Sequence, residues 1–201
     1  MSDSPSSDSP SSDTPTQSDT NKLVYVAGIA FAITCVAFFF ASSWLRPTVQ
    51  EGFPVTNLAK VNSDGTFEIT IDTSNRNNWI PLNLGAGRIT ADKEVPDLTF
   101  RRYVAQAPGG AIDLGKVTLE EAVLSAQPAW VKDEFVDGEL QNEALSTWYS
   151  YSYWTHLLSP KGRTYAVKLQ SGKVAFLEFV SYYCKPEGSG CLTIRYKLVN
   201  G

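Results

Sequence analysis

Few residues in this chain could carry out catalytic or metal chemistry, and the scarcest type is histidine. His156 is the only histidine in 201 residues, and the initiator is the only methionine. Catalytic triads and many metal centres combine an imidazole with further specific partners, so a single histidine excludes most sites of those classes. No serine lies in a G-x-S-x-G context, and the adjacent carboxylates Glu120-Glu121 and Asp133-Glu134 point in different directions. The sequence predicts neither catalytic residues nor a metal site.

Two of the three cysteines are spaced for a disulfide. Cys184 and Cys191 flank the turn-rich segment Lys-Pro-Glu-Gly-Ser-Gly, between the strand-like runs 174–183 and 192–198. Thiols at the mouth of one hairpin can approach to bonding distance, and such a bond persists only in an oxidising compartment. The alternative is a reduced, incidental pair. A zinc site would need two more ligands, of which the single histidine supplies at most one.

The N-terminal part of the chain divides into two segments of opposite character. Residues 1–22 are rich in Ser, Asp and Pro, which predicts a disordered tail. Residues 23–45 contain no charge and are long enough, at about 1.5 Å per residue, to cross a hydrocarbon core of about 30 Å as a helix. Lys22 and Arg46 bracket this run, and Tyr25 and Trp44 lie where interfacial aromatic residues concentrate. We therefore expect one membrane span in contact with the lipid bilayer.

Two alternatives to an uncleaved span remain. Ala41 and Ser43 resemble a signal-cleavage site, although the preceding stretch is acidic and the run exceeds an ordinary signal core. Cys35 would be the lipidated residue of a lipoprotein, but the residues around it fit that signal poorly. With the predicted disulfide, the span indicates a single-pass protein of the bacterial inner membrane, with its N-terminus in the cytoplasm and its C-terminal domain in the periplasm.

The remaining residues suffice for one domain. We interpret 46–65 as linker and domain entry, and 66–201 as a β domain that is nearly neutral and carries no basic stripe for nucleic acid. Ser171-Gly172 is typical of a tight hairpin turn, and Thr118 with Glu121 predicts the capping box of a short helix. The expected strands are 66–71, 79–84, 98–105, 163–169, 173–182 and 191–198. This pattern predicts a mainly β fold: an antiparallel β-sandwich or flattened barrel with one short helix, preceded by a single transmembrane helix.

Several motifs after residue 148 resemble the C-terminal signature of the HmuY family. The similarity extends from about Phe67 to Val199 and includes an upstream stretch, Asp97 to Tyr103, followed by two glycines. The motifs that carry it are Trp148-Tyr149-Ser150-Tyr151, Thr155-His156-Leu157-Leu158-Ser159-Pro160, Tyr165-Ala166-Val167-Lys168, Ser171-Gly172-Lys173, Leu177-Glu178-Phe179, Ser181-Tyr182-Tyr183-Cys184 and Cys191-Leu192-Thr193-Ile194.

The resemblance implies a predominantly β domain outside the cytoplasm. The best-known members of the family are lipoproteins that capture haem between two axial side chains from neighbouring loops. This chain departs from them by carrying a membrane span where they carry a lipidated cysteine. It also has Pro96 where the family commonly has a tryptophan.

The resemblance makes His156 a candidate axial haem ligand. A bis-histidine site is excluded, so the second ligand would be a tyrosinate from Tyr151, Tyr153 or Tyr165. The alternative is that His156 is a loop residue whose ring bonds to the backbone of the surrounding turn. We expect no cofactor, and haem is the alternative if His156 binds iron.

Five aromatic residues lie within seven positions of this signature. An alternating strand would put Tyr149, Tyr151 and Tyr153 on one face, and Trp148 and Trp154 on the other. One of these faces is a candidate interaction surface, since aromatic side chains with polar ends are enriched where proteins bind one another.

Two hypotheses follow from different functional classes. The first is a non-catalytic accessory or scaffold subunit of a larger membrane complex, with integral-membrane partner subunits such as those of light-harvesting, reaction-centre or respiratory complexes. The second is a membrane-tethered haem or tetrapyrrole binder that uses His156. Neither hypothesis requires an enzyme or a nucleic-acid partner.

Overall fold

The computed structural model describes residues 17–44, 50–90 and 94–199, which form two compact units divided after Thr48. The predicted tail falls outside this range up to residue 16, and so do Arg46 and the side chain of Trp44. Lys22 and Tyr25, the other two residues assigned to the membrane interface, are exposed on a helix.

The first unit contains one long helix, α1, Gln17–Trp44. Its stretch Val24–Ala41 is long and apolar enough to cross a membrane, with a mean hydropathy of 2.3, and none of it is buried by the protein. The helix begins before the predicted span, so residues 17–22 are helical rather than disordered. Once a helix is nucleated, each added residue contributes a further hydrogen bond, which favours extension past the apolar run.

The second unit is built mainly from short strands. They are β1 Gly52–Phe53, β2 Lys60–Val61, β3 Phe67–Asp72, β4 Ile80–Asn83, β5 Arg88–Ile89, β6 Leu98–Arg101, β7 Val104–Gln106, β8 Ala111–Gly115, β9 Asp133–Val136, β10 Glu139–Asn142, β11 Tyr149–Tyr151, β12 Leu158–Pro160, β13 Thr164–Lys168, β14 Val174–Cys184 and β15 Ser189–Val199, with the short helix α2 at Glu143–Ser146.

Two sheets form the body of this unit. Within the described residues, the larger sheet has the order β2-β3-β15-β14-β13-β8, and β1 adds to it as a parallel partner of β14. The smaller sheet has the order β5-β4-β6-β7, and both are otherwise antiparallel. β1 and β2 come from the segment interpreted as linker and domain entry.

One hydrophobic cluster joins the two sheets. Ile194 and Leu192 of β15 share it with Leu82 of β4 and Phe100 of β6. The Phe100 ring meets Phe179 of β14 edge to face, with centroids 6.2 Å apart. A shared core between facing antiparallel sheets confirms the predicted mainly β fold.

Two local predictions differ from the structure. The expected strand 98–105 is the hairpin β6–β7, because Arg102 adopts φ 55° and reverses the chain so that Arg101 pairs with Val104. The capping box at Thr118 forms, with the Glu121 carboxylate accepting from the Thr118 N–H. However, the segment forms a single turn and no helix, because the hydrogen bonds of one turn do not offset the free-energy cost of nucleating a helix.

Candidate functional site

An open pocket of about 830 Å³ lies where three separate segments of the β domain meet. The segments are the β6–β7 turn, the β11–β12 hairpin and the end of β14 with the loop that follows it. Aromatic side chains dominate the walls. The lining residues are Arg102, Tyr103, Tyr149, Tyr151, Tyr153, His156, Leu157, Leu158, Tyr182, Tyr183, Gly188 and Ser189.

The β6–β7 turn supplies the positive charge of the pocket. The Arg102 backbone N–H donates to the Thr73 carbonyl over 2.9 Å, and its guanidinium carbon lies 5.5 Å from the centre of the Tyr103 ring. The preceding residue, Arg101, instead pairs with Glu139 and stacks on the Trp79 ring. The turn thus separates two adjacent arginines into a structural ion pair and a pocket residue.

The β11–β12 hairpin carries His156 at its tip. The His156 N–H donates to the Ser152 carbonyl over 2.8 Å, and the Ser152 N–H donates to the Leu157 carbonyl over 2.9 Å. His156 has φ 56°, a left-handed conformation that is uncommon for residues other than glycine. The Tyr151 hydroxyl lies 2.6 Å from His156 Nδ1. The ring therefore bonds to a side chain, and not to the backbone as one interpretation proposed.

The end of β14 closes the pocket and is bridged by the predicted disulfide. Cys184 and Cys191 are bonded, and the Cys184 N–H donates to the Gly188 carbonyl over 3.0 Å. The Tyr183 hydroxyl accepts a hydrogen bond from the Leu158 N–H over 2.8 Å, which ties this strand to the hairpin that carries His156. Local sequence signals were sufficient to predict this disulfide.

The chain enters the β domain beside this pocket. Gln50 Nε2 donates to Ser159 Oγ over 2.9 Å, and Ser181 Oγ donates to the Glu51 carbonyl over 2.5 Å. At Gly52, a Cβ would lie 2.3 Å from the Cys184 carbonyl oxygen, so only glycine allows β1 to run against β14 at this point. The entry segment thus braces two of the three segments that form the pocket, the β11–β12 hairpin and β14.

The five aromatic residues of the predicted strip occupy very different environments. Trp148 is 1% exposed, stacks on Phe179 at 4.6 Å and donates its Nε1–H to the Tyr103 carbonyl over 2.9 Å. Tyr153 is 82% exposed and Trp154 is 95% exposed. The expectation that Trp148 and Trp154 share a face is wrong, because the strand ends at Tyr151 and a turn follows. Tyr149, Tyr151 and Tyr153 do line the same pocket.

Burial shapes the ionisation of two pocket tyrosines. Burial raises the pKa of Tyr149 above its ordinary value, and the neighbouring Tyr103 raises it further. Burial also raises the pKa of Tyr182, while a hydrogen bond from Arg102 acts in the opposite direction. Arg102 is the only residue of the lining with a permanent charge, and the lining contains no carboxylate.

The pocket residues fit haem through one imidazole only. If His156 Nδ1–H donates to the Tyr151 oxygen, Nε2 keeps a lone pair that could bind iron, the arrangement typical of metal-bound histidines. Tyr151 and Tyr153 lie on the same wall, whereas Tyr165 is buried in the core with its pKa raised to about 12, chiefly by burial. The described residues contain no group of three or more His, Cys, Asp or Glu side chains that could hold a metal ion.

Sequence reasoning identified one wall of the pocket and missed the others. Tyr103, Tyr182 and Tyr183 were noticed only as parts of family-like motifs, and the Arg101-Arg102 pair was interpreted as one buried stem and one solvent charge rather than as an anion site. The side chains of Arg102 and of these tyrosines join the pocket through long-range strand pairing, for which single-sequence patterns give no direct signal. The positive φ of Arg102 was equally hidden, because arginine has no preference for it.

Neither a protein-family model nor a curated protein sequence matches the chain. Several solved structures do match it. An HmuY-like heme-binding protein from Bacteroides vulgatus is 20% identical with a TM-score of 0.59, and the match covers 71% of this chain and 96% of that protein.

Two further structures give similar matches. The apo HmuY analog of Tannerella forsythia is 15% identical with a TM-score of 0.59, covering 68% of this chain and 96% of its own. A lipoprotein from Bacteroides fragilis is 18% identical with a TM-score of 0.58, and the match covers 69% of this chain and 91% of that protein. The likeness expected from the motifs is thus confirmed in three dimensions: the β domain has the HmuY-like fold.

Proposed function

We propose that the chain is a non-catalytic accessory subunit of a membrane protein complex, and that its β domain binds a partner subunit through the aromatic tip of the β11–β12 hairpin. The observation that carries the proposal is the exposure of Tyr153 and Trp154, at 82% and 95%. Tryptophan and tyrosine are enriched among the residues that dominate protein–protein binding energies. Two of them side by side at a hydrogen-bonded turn form a preorganised contact.

The long apolar helix supports attachment to a membrane complex. A helix with an 18-residue apolar stretch, none of it buried by the chain itself, finds its cover in lipid or in other helices. In this proposal the protein belongs to the bacterial inner membrane and its disulfide-bonded domain lies on the oxidising, periplasmic side. Its partners are integral-membrane subunits, for example of a light-harvesting, reaction-centre or respiratory complex.

The experiment is native purification of the full chain in mild detergent, with size and absorption spectrum recorded together. We expect migration with stoichiometric integral-membrane partners. Trp154→Ala should weaken that association at least tenfold, whereas Phe135→Ala, at a residue 79% exposed on the β9–β10 hairpin, should not. Migration of the wild-type chain alone would refute the proposal, and equal effects of the two variants would refute the role of the hairpin tip.

A second candidate function is binding of haem or a related tetrapyrrole, favoured by the single imidazole in an aromatic pocket of about 830 Å³. Two of the similar structures are described as HmuY-like or HmuY proteins, and one of these as heme-binding. Haem would supply iron for one axial bond from His156 Nε2. Titration of the purified chain with haemin tests this candidate. A sharp haem absorption band that appears with the wild-type chain and is lost in His156→Ala would support this candidate. A haemin spectrum that the wild-type chain leaves unchanged would exclude it.

A further inference from the structure

We infer that the pocket is a carboxylate-recognition site, in which Arg102 receives an acidic group carried on an apolar or aromatic segment of the partner subunit. This inference rests on the proposed accessory function and names the chemistry of the partner. It concerns the part of the contact within the pocket, in addition to the exposed hairpin tip.

The arginines of the β domain differ in whether a carboxylate neutralises them. Four of them form ion pairs with carboxylates of the β domain: Arg88 with Glu94, Arg101 with Glu139, Arg163 with Asp113, and Arg195 with Glu178. Arg102 has no carboxylate partner among the described residues, and it faces a pocket that contains none. An anion that enters the pocket would therefore meet an unneutralised guanidinium without like-charge repulsion.

Arg102 is held in position before any ligand binds. Its backbone is fixed in a left-handed turn by the bond to Thr73, and its guanidinium is held near the Tyr103 ring and the Tyr182 hydroxyl. A guanidinium fixed in place loses less side-chain entropy when it binds a carboxylate, and its fork of donors matches the two carboxylate oxygens. The charge is thus already positioned when the partner arrives.

The walls of the pocket are rich in aromatic side chains. Six tyrosines line the pocket. Tyrosine-rich surfaces of this kind bind peptide segments well, because the rings give large contact areas at low entropic cost and the hydroxyls add hydrogen bonds. Such walls suit an apolar or aromatic side chain next to the acidic group.

The exposed residues beside the pocket favour a protein segment as the occupant. Tyr153 lines the pocket and is followed in the chain by Trp154, and these two residues are 82% and 95% exposed. A small molecule within the pocket would leave Trp154 uncovered, whereas an extended segment of a partner chain would cover both the pocket and the hairpin tip. The open shape of the pocket is compatible with such a segment.

The first test uses two probes that differ only in charge, N-acetyl-tryptophan and N-acetyl-tryptophanamide, titrated into the full chain in detergent micelles. Hydrogen bonds to charged groups contribute enough for a tenfold change in affinity, so we expect the acid to bind at least tenfold more tightly than the amide. Arg102→Gln should abolish this preference. Arg76→Gln, which removes an exposed arginine outside the pocket lining, should retain it.

The second test repeats the native purification with the same two variants and with Arg102→Lys. We expect Arg102→Gln to weaken partner association and Arg102→Lys, which keeps the positive charge, to weaken it less. Arg76→Gln should leave the association unchanged. Equal binding of the acid and the amide, or an unaffected complex with Arg102→Gln, would overturn the inference even if the wild-type chain still purifies with partners. If the wild-type chain migrates alone, the accessory function fails, and the probe titration still decides whether Arg102 recognises carboxylates.

Discussion

The contrast between Trp148 and Trp154 gives a direct test of how the aromatic segment is divided. Trp148 is buried against Phe179 and donates a hydrogen bond to the Tyr103 carbonyl, whereas Trp154 touches solvent over almost its whole surface. Trp148→Ala removes a fully buried ring and should cost about 3–5 kcal/mol. Trp148→Phe keeps an aromatic ring but loses the hydrogen bond, which adds about 1 kcal/mol to the smaller packing loss. Trp154→Ala should stay within about 0.5 kcal/mol of wild type.

The assay is thermal unfolding of the full chain in detergent, followed by near-ultraviolet circular dichroism, which reports packing of aromatic residues in the β domain. For a domain of this size, each kcal/mol shifts Tm by about 2–4 °C, so Trp148→Ala should lower Tm by roughly 10 °C. Trp130→Phe provides a control at a half-buried tryptophan that packs against a second, smaller cluster formed by Leu119, Ala122, Ala166, Val174 and Phe176. A Trp154→Ala variant that loses as much stability as Trp148→Ala would refute the division into core and surface.

Three further predictions concern stability. Replacing Cys184 and Cys191 together by alanine should lower the free energy of unfolding by about 2 kcal/mol, as expected for a short closed loop, and reductant should do the same to wild type in urea melts. Burial raises the pKa of Tyr165 and of Tyr196 to about 12, so the stability that their neutral forms contribute is complete below pH 10 and is lost as the pH rises towards 12. Unfolding curves recorded between pH 9 and 12 measure this loss of stability, and each Tyr→Phe variant should reduce it. Gly109→Ala places a methyl group 1.9 Å from a backbone oxygen and should cost at least about 2 kcal/mol in a denaturant titration.

Local signals in the sequence predicted the features that depend on neighbouring residues. The uncharged run became a helix, the Ser171-Gly172 turn joins β13 to β14, and the two cysteines bridge the β14–β15 loop. In each case the determining residues are close in the sequence, so composition and spacing carry the information. The mainly β class followed from the same alternating patterns.

The features that depended on long-range packing were not predictable in this way. Thr118 carries a correct helix-start signal, yet tertiary structure allows only one turn, with Leu119 and Ala122 buried in the smaller cluster. α2 has no side-chain cap at Asn142 and gave no comparable signal. The pocket combines residues from three distant segments, so its electrostatic character, set by Arg102, became visible only once the strands were paired.

The protonation of His156 links the two candidate functions to a single observable. A phenol O–H is a strong donor and a neutral imidazole nitrogen a strong acceptor, so the contact of 2.6 Å favours donation from Tyr151 to Nδ1, which leaves the proton on Nε2. In that tautomer Nε2 has no lone pair for iron, and the ring serves to fix the hairpin tip. Because the chain has one histidine, the imidazole nitrogen shifts of uniformly ¹⁵N-labelled protein belong to His156 without further assignment. We expect the Nε2–H tautomer under mildly alkaline conditions, and a population of the other tautomer that rises in Tyr151→Phe. A predominant Nδ1–H form in wild type would contradict this reasoning and would favour haem ligation over a purely structural role of the hairpin.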